Sequence, residues 1–184
     1  MFDVDELIGE CQTAIAEGEA HRAVREVLER AMADAGAVGD AMQPRRGGME
    51  MLHASPDLTI IHFVWAPKMQ LFPHDHRMSA VIGMYAGQED NTFYRRDPDR
   101  PARVTATTGK EVRAGDVLTL GKDVIHGVIN PLDRVTAAIH VYLGDYINEP
   151  RSQWGPGPPE ERPFDIEAIR ARFEEANAEA GLTA

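Results

Sequence analysis

A series of short segments rich in β-forming residues runs through the middle of the chain, and it constrains the fold most strongly. The segments span residues 58–66, 79–86, 91–96, 102–107, 116–120, 128–129 and 135–143. Clusters of Pro, Gly and Asp separate them, and no stretch between them has the helical period that a βαβ unit requires. Short strands at this spacing predict an all-β sandwich or barrel.

Helical patterns flank this region on both sides. From Val4 to Ala35 apolar residues recur every three or four positions, which predicts two N-terminal helices with breaks at Gly18, Gly36 and Gly39. Near the end, Asp165 is a suitable cap for one C-terminal helix. The apolar stripe of that helix consists of Ile166, Ile169, Phe173 and Ala176.

The length of 184 residues fits one domain with appendages. We expect helices over residues 1–43, the β barrel over 44–147, and a wrap plus helix over 148–184. The segment 148–163 holds five prolines and two glycines, which is too many for regular structure.

The charge and cysteine content exclude several classes of function. A net charge of −11 repels phosphate backbones and anionic lipids, so neither nucleic acid nor membrane is an expected partner. The first ten residues lack a secretory pattern, and no apolar run is long enough to span a bilayer. Cys11 has no partner for an internal disulfide. These features predict a cytoplasmic protein. We expect a monomer or homodimer, and the sequence leaves the oligomeric state open.

The histidines of the PHDHRM stretch are candidate metal ligands. In an extended segment His74 and His76 point to the same side, so two imidazoles can share one ion. The pair alone is a weak signal, and a third ligand must come from elsewhere. His62, in LTIIHFVW, is more typical of a barrel-wall residue.

A second segment, GDVLTLGKDVIHGVIN, supplies that ligand as His126. Together the two segments resemble the two motifs of the cupin family, whose fold is a double-stranded β-helix, or jelly-roll barrel. His74, His76 and Gly87 match the first motif, while Gly115, His126 and Asn130 match the second. Gly121 and Asp123 replace the usual Pro-x-Gly turn. Ala80 occupies the position of the motif's glutamate, so the resemblance implies three neutral imidazoles and no carboxylate.

Within the cupins, such a shell resembles the cysteine and 3-mercaptopropionate dioxygenases. Trp65, the HDHR run and the later VIGMYAG run are similar to those enzymes. Their Ser-x-His-x-Tyr run corresponds to Ala138-Ile139-His140-Val141-Tyr142, with alanine in place of serine. The resemblance implies catalytic roles for His140 and Tyr142, with the histidine orienting a phenol that donates a hydrogen bond to substrate or O2.

The resemblance also implies an arginine that binds the substrate's carboxylate. Arg45 and Arg46 lie upstream of Trp65, two or three residues out of register, and Arg77 follows the histidine pair. The expected function is a mononuclear non-haem iron dioxygenase that converts a small thiol to its sulfinate. Fe(II) is the expected metal, although imidazoles also suit Zn, Ni or Cu. The alternatives are a cupin lyase or isomerase acting on a small acid, and a non-catalytic binding protein.

Overall fold

The computed structural model describes residues 1–16, 18–157 and 159–183, and its centre is two antiparallel sheets. The first sheet has the strand order β1-β2-β9-β4-β7 and the second β11-β10-β3-β8-β5-β6. The strands are β1 (Gly48–Ala54), β2 (Thr59–Trp65), β3 (Gln70–Asp75), β4 (Ala80–Ala86), β5 (Gln88–Arg96), β6 (Val104–Arg113), β7 (Val117–Leu120), β8 (Ile125–Ile129), β9 (Thr136–Tyr142), β10 (Ser152–Gln153) and β11 (Arg162–Pro163). From β2 to β10 the chain passes repeatedly between the sheets, which is the topology of a jelly roll. The prediction of an all-β core is confirmed.

Three helices precede the barrel, so the prediction of two was wrong. They are α1 (Val4–Ile15), α2 (Ala20–Met32) and α3 (Ala35–Met42). Gly36 and Gly39, which were expected to break a helix, lie inside α3. The Asp34 side chain caps α3 by accepting a hydrogen bond from the Ala37 N–H, and burial of Val38 adds a packing contact that outweighs the poor helix propensity of glycine.

Two apolar cores hold the layers together. The outer face of the first sheet packs against α1, α2 and α3 through side chains such as Ile60, Val81 and Ile139. The inner faces of the two sheets pack against each other through a separate cluster that includes Phe63 and Ile82. Alternate residues of β2, β4 and β9 therefore serve different cores, and all seven residues of β2 and of β9 are buried.

The C-terminal segment closes one end of the barrel. Although it is rich in proline, the 148–163 region contributes β10 and β11 to the second sheet. The final helix, α4 (Ile166–Glu179), packs Ile169 and Phe173 onto the inner core. Its Asn177 side chain bonds both the N–H and the C=O of Gly47, which fixes α4 against the start of β1. No helix in the described part of the chain is long and apolar enough to cross a membrane.

Candidate metal centre

Two neighbouring strands bring the three predicted histidine ligands together. His74 on β3 lies directly opposite His126 on β8, and His76 follows two residues after His74. A bulge in β3 between Leu71 and His74 adds one residue to the strand. The side chains of Leu71 and His74 are three positions apart, and because of the bulge both face the inside of the barrel. Pro73 lies in the bulge, where its missing N–H costs no ladder hydrogen bond.

The three imidazoles converge on one point. The Nε2 atom of His76 is 3.2 Å from that of His74 and 3.4 Å from that of His126. One ring nitrogen from each of the three lies within 4.8 Å of the others, and all three residues are buried. Among the described residues, no carboxylate belongs to this group, and Ala80 lies buried in β4 between Tyr142 and Leu120.

Hydrogen bonds to the opposite ring nitrogens favour the tautomer that a metal requires. The Nδ1–H of His126 donates to Asn91 Oδ1 at 2.7 Å, and the Nδ1–H of His74 donates to the Phe72 carbonyl at 3.1 Å. With their protons on Nδ1, His74 and His126 have Nε2 lone pairs free to bind a metal. Burial lowers the pKa of His74 to about 4 and those of His76 and His126 well below the usual value, so the rings are neutral near pH 7. This donor set fits a divalent transition metal.

A chain of buried polar groups supports His126 from behind. Asn91 Nδ2 donates to Glu89 Oε1 at 2.8 Å, and Trp65 Nε1 donates to Glu89 Oε2 at 2.8 Å. The two hydrogen bonds fix the Glu89 carboxylate. The carboxylate in turn orients the Asn91 amide, so that the amide oxygen points toward His126. Burial raises the pKa of Glu89 to about 7, although both hydrogen bonds favour its charged form.

Sequence reasoning missed Glu89 and Asn91. The predicted strand began at Asn91, whereas β5 begins at Gln88. Both residues are buried on the same side of β5, two positions apart, in a segment whose composition, QEDNTFYRR, is that of a solvated strand. Polar residues at every second position of a strand that reaches the barrel interior were the available signal.

The predicted pair His140 and Tyr142 lines the same interior space as the three histidines, which we call the chamber. His140 Nδ1 is 3.1 Å from the Tyr142 hydroxyl, and the Tyr142 ring centroid is 5.0 Å from that of His76. Burial lowers the pKa of His140 to about 3 and raises that of Tyr142 well above 10, so both groups are neutral. The Nε2 atom of His140 is 3.8 Å from Glu89 Oε2 and has no hydrogen-bond partner among the described residues.

Each of the three predicted arginines contacts a polar side chain outside the chamber. Arg45 is exposed and bonds Gln43, and Arg46 pairs with Glu174 on α4. Arg77 follows β3 with a left-handed backbone (φ 58°), and its Nε donates to Asp75 at 2.7 Å. None of the three lines the chamber that the histidines face.

A different arginine, Arg151, lies beside that chamber. Its guanidinium stacks between two aromatic rings, 3.7 Å from the Tyr146 centroid and 3.8 Å from the Phe164 centroid. One of its terminal nitrogens donates to the Tyr146 carbonyl at 2.8 Å. The other is buried without a partner, and Arg151 forms no ion pair within the described ranges. Its positive charge adds to the effect of burial in lowering the pKa of His74 and of His76.

The chamber itself is small and mostly apolar. Besides the histidines and Tyr142, its wall includes Phe63, Leu71 and Val128. The free volume is about 10 Å³, which is about the space of one water molecule. A ligand atom that reaches the three Nε2 atoms therefore enters a site from which bulk water is excluded.

Solved structures of other proteins are similar to this chain in fold. No family model matches the sequence. A Bacillus halodurans protein aligns over 73% of this chain and 89% of its own, with a TM-score of 0.50 and 13% identity. A Klebsiella pneumoniae protein with a double-stranded β-helix domain aligns over 59% and 79% (TM-score 0.47, 12% identity), and a cupin superfamily protein from Desulfitobacterium hafniense over 54% and 79% (TM-score 0.44, 16% identity). The order of the strands in the two antiparallel sheets is that of a double-stranded β-helix, or jelly roll, and this chain adds helices at both ends.

Proposed function

We propose that this protein is a thiol dioxygenase, which uses O2 to oxidise a small thiol carrying an anionic group to the corresponding sulfinate. In this reaction sulfur loses four electrons, and both oxygen atoms of O2 end on sulfur. The observation that carries the proposal is that two kinds of group line one small chamber and a third kind lies beside it. These are three neutral histidines, a histidine–tyrosine pair and a buried arginine with a free N–H.

The histidines are the groups that would hold a metal. His74, His76 and His126 would bind it through Nε2, and three imidazoles without a carboxylate leave its full positive charge available to an anionic ligand. Bound iron would supply the reaction with O2 and would favour the thiolate form of the substrate.

We assign to Tyr142 the role of a hydrogen-bond donor to the ligand at the metal. Its hydroxyl keeps its proton at neutral pH, because burial raises its pKa. In the tautomer with its proton on Nδ1, His140 donates to the Tyr142 oxygen at 3.1 Å and orients the phenol. The phenol proton is then free to be donated to the ligand, in a site without competing water. His140 acts through Tyr142 and is a positioning residue.

Arg151 is the candidate for the substrate's anionic group. A buried cation without an ion-pair partner is costly, and a bound carboxylate would relieve that cost. The two rings that stack on the guanidinium hold its plane, which suits bidentate binding of a carboxylate. The proposal thus assigns to Arg151 the role that the sequence motif suggested for Arg45, Arg46 or Arg77.

The test is O2 uptake by iron-loaded protein with a panel of thiols. Cysteine and 3-mercaptopropionate carry a carboxylate, whereas cysteamine does not and serves as the matched comparison. We expect O2 consumption and sulfinate formation with at least one acidic thiol, and a raised KM for that thiol in Arg151→Met. Iron-loaded, folded protein that consumes no O2 with any of them would overturn the proposal. Stable binding of Zn or Ni without O2 consumption would instead favour a lyase or isomerase.

A further inference from the structure

A second, larger cavity adjoins the metal chamber. Its volume is about 680 Å³, within the range of small-molecule sites. Tyr146 and Phe164 line both spaces, and Arg151, stacked between these rings, lines the larger one. The arginine and its two rings therefore form the partition between the chamber and the cavity, which we call the outer cavity.

The wall of the outer cavity is largely apolar. Met49, Ile61 and Phe173 lie along it. Three large hydrophobic residues are exposed in the described part of the chain, and two of them, Met51 (45% exposed) and Ile147 (61% exposed), belong to this wall. Exposed apolar side chains concentrated around a concavity indicate a binding site for an apolar group.

Two arginines of this wall have unused hydrogen-bond donors. Arg151, which is 9% exposed, has a terminal nitrogen without a partner, and Arg46 has a buried Nε without one, both assessed over the described residues. Arg46 is neutralised by Glu174, whereas Arg151 has no acidic partner. An unpaired charged donor in a buried site costs free energy that a bound anion would recover.

The sizes of the chamber and of the outer cavity indicate which part of a ligand each could hold. The chamber has space for a group no larger than a water molecule, so the bulk of a substrate cannot lie inside it in this conformation. The thiol sulfur is the part of the ligand that would extend toward the histidines, while the remaining atoms need the adjoining space. An acid group near the thiol would then meet Arg151 at the partition.

We propose that the outer cavity binds the apolar body of the substrate, and that the substrate class is a mercaptocarboxylic acid with an apolar substituent larger than the side chain of cysteine. The thiol part rests on the proposed function. The binding of an apolar organic acid in the outer cavity does not, because it needs neither O2 nor a redox-active metal.

Calorimetric titration with straight-chain carboxylates tests the cavity directly. Butyrate, hexanoate and octanoate are titrated into the full-length protein, with and without Zn(II), and octanol serves as the uncharged comparison. We expect affinity to rise up to about fourfold per added methylene, since each buried CH2 contributes about 0.8 kcal/mol. Octanol should bind at least about tenfold more weakly than octanoate. Affinity that is independent of chain length, or binding that requires zinc, would overturn the inference.

Variants locate the binding site. Met49→Trp should fill the cavity, and Met51→Glu at the exposed rim should repel the carboxylate without disturbing the core; each should weaken octanoate binding at least tenfold. Arg151→Met should remove the preference for octanoate over octanol.

Arg96→Met is the matched control for Arg151→Met, because Arg96 also stacks on an aromatic ring, that of Trp154, outside this cavity. Unchanged octanoate binding in folded Met51→Glu would contradict the inference.

The two proposals fail separately. If octanoate binds as expected but no thiol supports O2 uptake, the proposed function fails and the outer cavity remains a site for organic acids. If 3-mercaptopropionate is oxidised but a 2-alkyl derivative has no lower KM, the assignment of the outer cavity to the substrate fails while the activity stands.

Discussion

Replacing Asn91 with leucine should weaken metal binding, although Asn91 does not touch the metal position. Its Oδ1 accepts the Nδ1–H of His126 at 2.7 Å, and both residues are 1% exposed. Leucine has nearly the same shape but no acceptor. The His126 ring then loses the bond that selects its tautomer and holds its orientation, and its buried Nδ1–H is left without a partner.

The size of the effect follows from this one bond. An unsatisfied buried donor costs about 1–3 kcal/mol, and loss of a hydrogen bond behind a metal-binding histidine typically lowers metal affinity about 10- to 100-fold. A factor of 10 to 100 corresponds to about 1.4–2.7 kcal/mol, so the two estimates agree. The free energy of unfolding should also fall by about 1–3 kcal/mol, because Glu89 Oε1 loses its donor.

Competitive titration of Zn(II) or Co(II) against a chelator measures the affinity. Asn91→Asp keeps the acceptor for His126 but replaces the amide that donates to Glu89 with a carboxylate, so it should bind metal more tightly than Asn91→Leu while still lowering the free energy of unfolding. Thr92→Val is the matched control, since the neighbouring residue of β5 points to the other face. The reasoning is refuted if folded Asn91→Leu binds metal as tightly as the wild type.

Three further predictions concern activity, stability and pH. Tyr142→Phe should leave metal affinity unchanged while lowering kcat at least about 100-fold, as measured by O2 uptake; an equal loss of metal would mean that the tyrosine is structural. Asn177→Ala removes both bonds to the backbone of Gly47 and should lower the free energy of unfolding by about 2–4 kcal/mol in urea titrations, and a loss below 1 kcal/mol would contradict this role. The folded-state pKa of His140 is about 3, below its ordinary value of 6.5, so the unfolded chain takes up a proton first as pH falls. Metal-free wild type should therefore lose stability from about pH 6.5 down toward pH 3, and His140→Gln should lose less over that window; identical slopes would refute the assignment.

The sequence predicted the barrel well because its strands carry strong local signals. Val, Ile and aromatic residues in short runs between turn residues specify strands almost independently of their surroundings. The N-terminal helices were counted incorrectly because Gly36 and Gly39 usually end helices, and the packing of α3 against β4 overrides that local preference.

The site was predictable only where its residues stand at fixed spacing. His74 and His76 are two apart on one strand, and His126 follows a turn, so motif spacing identified all three. Arg151 has no such marker, and the alternate spacing of Glu89 and Asn91 also occurs in solvated strands. Arg151 lies in a proline-rich segment that reads as a linker, and its place beside the chamber depends on the pairing of β10 with β3, which is a contact between distant parts of the chain.

The central claim is that three histidines form one metal centre, and metal stoichiometry in His126→Ala tests it most directly. Elemental analysis is performed after loading with Fe(II) or Zn(II) and removal of excess metal, with circular dichroism to verify folding. The account predicts one metal ion per wild-type chain and none retained by the folded variant. Stoichiometric metal in folded His126→Ala would contradict it.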